Sequence, residues 1–162
     1  MPVWLPALIC LSDFGGDWNR YEEALYEVFC RDFLRARTTF GGMPVRLKRH
    51  PVMGGKEATF WHFTSEGQVE AQRLPDLRRC ERIAWPKPVI ERAGTDPAIK
   101  LWENERRGEK RACLWLEEED YLVVLAIRES YVLPWTAYLV LEEHRKRKLR
   151  KEYEAARSAL KG

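Results

Sequence analysis

Apolar residues recur at helical spacing through Tyr21, Ala24, Leu25, Val28, Phe29 and Phe33, which predicts a helix running to about Arg37. Asn19-Arg20-Tyr21-Glu22 fits a capping box at its start, and Gly41-Gly42 closes the region. From Met43 to His50, Val45 and Leu47 alternate with Arg46, Lys48 and Arg49, the pattern of a short strand with one basic face. After a turn at Pro51–Gly55, the stretch Gly54–Gly67 reads as a second strand. Lys56, Ala58, Phe60, His62 and Thr64 then share one face, while Glu57, Thr59, Trp61 and Phe63 share the other.

Asp76 suits the N-cap of a middle helix over Pro75–Ile83, with Leu77, Cys80 and Ile83 or Ala84 on one side and arginines on the other. Trp85-Pro86-Lys87-Pro88 is expected to stop it. Ile99–Glu105 reads as a strand. Arg111–Leu116, Tyr121–Arg128 and Tyr131–Leu141 read as an antiparallel meander, joined by Glu117–Asp120 and Glu129-Ser130. Tyr121–Ile127 is apolar on both faces and belongs in the middle of the sheet, whereas Pro134 implies an edge or a bulge. A basic helix follows, spaced through Leu149, Tyr153, Ala156 and Leu160. The expected fold is α+β: an antiparallel sheet of four to six strands with an N-terminal helix, a middle helix and a C-terminal basic helix.

Length and composition narrow the picture. A chain of 162 residues with 45% hydrophobic and 12% aromatic residues suits a single domain with a substantial core. Cys10, Cys30, Cys80 and Cys113 are scattered and form no C-x-x-C pair, which favours reduced thiols over a zinc site or a disulfide framework. Met1–Leu11 makes a poor signal peptide, and no run is long enough to span a membrane, so a cytoplasmic location is expected. The net charge of +3 is modest, but it is segregated. Basic residues gather at Arg46–His50, Arg73–Arg82 and Arg145–Lys151, and acidic ones at Glu103–Glu109 and Glu117–Asp120.

Four groupings can carry chemistry. His62 has an imidazole suited to moving protons near neutral pH, with Lys56 and Thr64 in line on the same predicted face. Gly54-Gly55-Lys56 imitates a phosphate loop but fails, because Glu57 stands where a hydroxyl residue is required. Arg73, Arg78, Arg79 and Arg82 offer guanidinium forks that match phosphate geometry; the plain alternative is a solvated helix face. Arg128, Tyr131, Thr136 and Tyr138 fall on the last hairpin, where a bulge at Pro134 is what could gather them; ordinary strand composition is the competing explanation. Arg145, Lys146 and Arg147 open the basic tail, suited to sequence-independent phosphate contact or simple solvation. No paired histidines at metal spacing, Gly-x-Ser-x-Gly or dinucleotide fingerprint occurs, so no metal or cofactor is called for.

Phe-Trp-His-Phe-Thr-Ser-Glu-Gly (60–67), Pro-Asp-Leu-Arg-Arg-Cys-Glu-Arg-Ile (75–83), Trp-Pro-Lys-Pro-Val-Ile-Glu (85–91) and the run from Tyr121 through Trp-Thr-Ala-Tyr at 135–138 resemble small phage- and prophage-encoded proteins. These are associated with the nuclease superfamily that includes barnase, EndoU, colicin ribonucleases and RelE toxins. The resemblance covers about residues 41–155 as a nuclease-like core and leaves an N-terminal helical region, 1–40, outside it. It implies a metal-independent, toxin-like endoribonuclease that cuts RNA, tRNA for example, by 2′-hydroxyl attack to a 2′,3′-cyclic phosphate. An antitoxin or immunity protein is the implied protein partner. On that resemblance His62 is the general base or acid, and Thr64 orients substrate. Arg78, Arg79 and Arg128 clamp phosphate, and Tyr138 is a second acid or a base-stacking platform. Lys56, Arg82, Thr136, Arg145, Lys146 and Arg147 complete the expected nucleic-acid contacts. A non-catalytic nucleic-acid-binding or protein-interaction module is the competing class.

Overall fold

The computed structural model describes residues 1–161 and is α+β, as the pattern predicts. Helix α1 spans Trp18–Cys30 and continues as a π-helical turn over Arg31–Arg35. Its N-cap is Asp17, whose carboxylate accepts from the Arg20 amide at 3.2 Å, two residues ahead of the expected Asn19 cap. Gly41-Gly42 does not end this helix. It forms the tight turn between β1 (Thr39–Phe40) and β2 (Met43–Pro44), where both glycines take positive φ. The remainder of the predicted 43–50 strand is irregular: Val45 makes one bridge to Val132, and the Lys48 and Arg49 carbonyls accept from the Thr59 and Ala58 amides at 3.0 and 3.2 Å.

The largest departure lies at 54–67. Ala58–Thr64 is a helix, α2, followed by the two-residue strand β3 (Ser65–Glu66). Six of its seven residues are buried, and only Trp61 is partly open. Burial on nearly every side leaves no polar stripe to reveal the helical period, so its aromatic and threonine content mimics a strand. The end of α2 is closed by side chains. Thr64 Oγ1 donates to the Phe60 carbonyl at 3.0 Å, the Ser65 hydroxyl donates to the Trp61 carbonyl, and Arg79 Nη1 donates to the His62 carbonyl at 3.2 Å. A cation at this end also complements the helix dipole.

Strand β4 (Leu74–Pro75) pairs with β3, so residues 67–73 form a loop projecting from α2. Helix α3 (Leu77–Glu81) is capped by Asp76, as expected. α3 already ends at Glu81, so Trp85–Pro88 does not stop it but begins another helix: α4 (Pro86–Arg92) starts with proline at its first position, where the missing amide is harmless. Strands β5 (Ile99–Arg106), β6 (Glu109–Leu116), β7 (Tyr121–Ile127) and β8 (Val132–Leu139) form an antiparallel sheet in chain order. Helix α5 (Glu143–Lys161) closes the chain.

The sheet separates two cores. On one face Leu114, Val123, Leu125 and Ala137 pack against Tyr21, Phe29, Phe60 and Phe63 from α1 and α2 and Val89 and Ile90 from α4. On the other, Trp102, Trp115, Leu122 and Val124 pack against Leu149, Tyr153 and Ala156 of α5. β7 lies inside the sheet and is buried on both faces. β8 is an edge strand and also carries a bulge. Thr136 pairs with Val124 and Pro134 with Leu125, so Trp135 has no partner on β7. Among the described residues, no helix is long and apolar enough to cross a membrane.

Candidate functional site

The Trp135 bulge, the end of α2, the start of α3 and the tip of the β5–β6 hairpin converge on an open cleft of about 960 Å³. Its lining includes seven arginines: Arg73, Arg78, Arg79, Arg106, Arg107, Arg111 and Arg145. Four carboxylates, Glu66, Glu70, Asp76 and Glu142, oppose them, leaving a formal excess of three positive charges. Sequence segments far apart supply these cations, so the cleft exists only in the folded chain.

His62 lies in the wall with its side chain 7% exposed. Its Nδ1 is 3.2 Å from the Trp135 carbonyl, at the bulge where Trp135 has no partner on β7. Its Nε2 is 2.7 Å from Glu70 Oε1. Both partners are acceptors, so both contacts are satisfied together only when both ring nitrogens carry protons. Glu70 sits on the 67–73 loop, 3.9 Å from Lys48 Nζ as well. Burial works against its charged form, but the hydrogen bond and charge of His62, with Lys48 and Arg73, outweigh it and hold the carboxyl below its ordinary value. The loop itself is tied down by Arg73, which donates to Ser65 Oγ at 2.9 Å and to the Gly67 carbonyl at 2.6 Å.

Arg79 is a clamp within the protein as much as a cleft residue. Its Nη1 reaches the carbonyls of His62 (3.2 Å) and Ser65 (2.9 Å) and Thr136 Oγ1 (3.2 Å), joining α2, β3 and β8. Its guanidinium lies 5.2 Å from the Tyr138 ring centroid, and that of Arg145 lies 5.3 Å from the same ring. Arg145 also donates to the Tyr138 hydroxyl at 2.8 Å. Tyr138 therefore carries two guanidinium neighbours instead of standing bare as a stacking platform. Trp135 is similarly placed between Lys48 and Arg111, at 5.7 and 5.6 Å. Arg111 Nε is buried without a hydrogen-bond partner, and Arg79 Nε, which also makes no hydrogen bond, has the Asp76 carboxylate 3.4 Å away. A buried guanidinium N–H left unpaired is unfavourable unless a ligand supplies an acceptor.

Of the residues singled out from sequence, His62, Arg73, Arg78, Arg79, Thr136, Tyr138 and Arg145 line the cleft. The others do not. Thr64 is buried and faces a separate, mainly apolar cavity of about 270 Å³ shared with Phe60, Trp61 and Cys80. Lys56 is buried beside Tyr26 and pairs with Glu23 at 2.8 Å; it leaves the His62 face because α2 replaces the predicted strand. Arg82 stacks on Trp85, 5.0 Å from its centroid, and Arg128 pairs with Glu109 at 3.0 Å. Lys146 pairs with Asp120 at 2.6 Å, and Arg147 is exposed outside the cleft. Thr136 and Tyr138 share the cleft face by strand alternation, and the bulge does not bring Arg128 or Tyr131 to them, the latter lying under Arg46.

Glu70, Trp135, Arg106, Arg107 and Arg111 were not legible as site residues. For Trp135 a local signal exists in Pro134, which foretells a bulge; for the others the signal is tertiary. No group of three or more His, Cys, Asp or Glu among the described residues is placed to hold a metal ion. Comparison with protein-family models, with curated proteins and with solved structures gives no match.

Proposed function

We propose that the cleft binds the phosphate backbone of RNA and that the protein is a metal-independent endoribonuclease. The observation that carries this reading is the His62–Glu70 pair, 2.7 Å apart, inside a cleft lined by seven arginines. A carboxylate held ionised is equipped to accept a proton, and the imidazole beside it is equipped to give one. With an RNA strand in the cleft, Glu70 takes the proton of a ribose 2′-hydroxyl and the 2′-oxygen forms a bond to the adjacent phosphorus. The bond from phosphorus to the 5′-oxygen breaks, and His62 protonates the leaving oxygen. The products are a 2′,3′-cyclic phosphate and a 5′-hydroxyl. Arg111, with an unpaired buried Nε–H, and Arg79, whose Nε faces the Asp76 carboxylate at 3.4 Å, stabilise charge on the pentacoordinate phosphorus. The substrate must part His62 from Glu70.

One observation favours a binding-only reading. His62 is mostly buried, and both of its nitrogens are already satisfied inside the protein. Incubation with total tRNA and ribosomal RNA in EDTA, alongside His62→Ala and Glu70→Gln, separates the two. Cleavage leaving cyclic-phosphate ends, abolished by either substitution, is the expected result. Salt-sensitive binding with no cleavage by any of the proteins would overturn the enzymatic reading and leave the RNA-binding one.

A further inference from the structure

The tip of the β5–β6 hairpin is built against local preference. Arg106 pairs with Glu109, so Arg107-Gly108 is a two-residue turn in which both residues have positive φ, 54° and 76°. Glycine or asparagine is favoured at the first of these positions, because a long side chain in the left-handed region crowds its own backbone. Nothing within the fold compensates. Neither the Arg106 nor the Arg107 side chain makes a hydrogen bond or ion pair among the described residues, and both are exposed. Arg79, Arg111 and Arg145, by contrast, each have partners within the protein. Yet Arg106 and Arg107 line the same cleft as Arg78 and Arg79, approaching from the hairpin where those two approach from α3.

We propose that the Arg106-Arg107 hairpin tip is a phosphate clamp that grips the bound strand from the side of the cleft formed by the sheet. This rests on the RNA reading above and deepens it: the ligand is a flexible single strand, held by its backbone between the hairpin tip and α3. Two adjacent guanidinium groups without internal partners form charge-assisted bonds to phosphate oxygens with no ion pair to break first.

The test is fluorescence anisotropy with a short, labelled 2′-O-methyl oligoribonucleotide, which cannot be cleaved by 2′ attack, over a range of salt concentrations. Arg107→Asn removes the cation while suiting the turn, so its melting temperature should equal or exceed that of the wild type. Its affinity should fall roughly three- to tenfold, and the slope of log K against log salt should flatten by about 0.7, the loss of one single-strand phosphate contact. Arg107→Lys should retain most of both, and Arg106→Gln should repeat the loss. Arg20→Gln removes one exposed positive charge from α1, outside the cleft, and should leave affinity nearly unchanged. Wild-type affinity and slope in Arg107→Asn and Arg106→Gln would overturn the clamp while leaving the RNA reading intact. Absence of wild-type binding would overturn the RNA reading itself. Equal losses in Arg20→Gln would reduce the clamp to a net-charge effect and overturn it.

Discussion

Replacing Arg79 with methionine should destabilise the fold before it tells anything about RNA. The guanidinium is 13% exposed and holds together the end of α2, β3 and β8 through the His62 and Ser65 carbonyls and the Thr136 hydroxyl. One Nη1 has two protons for these three acceptors, so the loss is about two charge-assisted bonds. At about 1.5 kcal/mol each the gross cost is about 3 kcal/mol. Removing the desolvated charge returns part of that, although the 3.4 Å ion pair with Asp76 goes with it, and methionine keeps much of the stem's packing. A net loss of roughly 2–3 kcal/mol follows, which for a chain of this size is roughly 4–12 °C in Tm. Urea unfolding followed by tryptophan fluorescence measures it, with an unchanged m-value showing that the same cooperative unit unfolds. Arg79→Lys, able to reach one carbonyl, should fall between. A loss below about 0.5 kcal/mol for Arg79→Met would refute the clamp and return Arg79 to the role of a purely ligand-facing cation.

Two further outcomes follow from side-chain environments. The carboxyl of Glu70 is depressed in the fold, so the stability it contributes is fully present above the ordinary carboxylate range and is lost as pH falls through the folded value. The difference in Tm between wild type and Glu70→Gln should therefore shrink as pH falls from about 5 to below about 4.3, and a gap that persists unchanged to pH 3 contradicts the pairing. Burial pushes the Cys80 and Cys113 thiols up to about 12, so in the native protein at pH 8 they should resist a thiol reagent such as DTNB. Unfolding in urea should release both, and rapid native reaction of all four cysteines would show that these sites open.

What could be read from the chain alone follows from how local each signal is. The β6–β7–β8 meander, the interior position of β7 and the edge and bulge at β8 are written in neighbouring residues: double-sided apolar runs, two- to four-residue connections, and one proline. Helices α1, α3 and α5 are similarly visible, because each keeps a polar side against which its apolar stripe stands out. Helix α2 was not, since its burial comes from α1 on one side and β8 on another, and a seven-residue helix enclosed by other elements has no stripe to show. Helix α4 was hidden by a proline that begins it but reads as a stop.

His62 could be singled out from its residue type alone; its partners could not. Glu70 meets it from a loop eight residues on, and the Trp135 carbonyl meets it from an edge strand 73 residues away, at the bulge where Trp135 has no partner on β7. Lys56 and Thr64 look like companions of His62 when the stretch is laid out as a strand. The helical turn sends one to Glu23 and the other into the core. Sequence by itself determined the α+β class, the sheet's C-terminal strand order and an arginine-rich character. Which arginines meet, and what surrounds the histidine, was decided by tertiary structure, because a cleft is a relation between segments that no local pattern encodes.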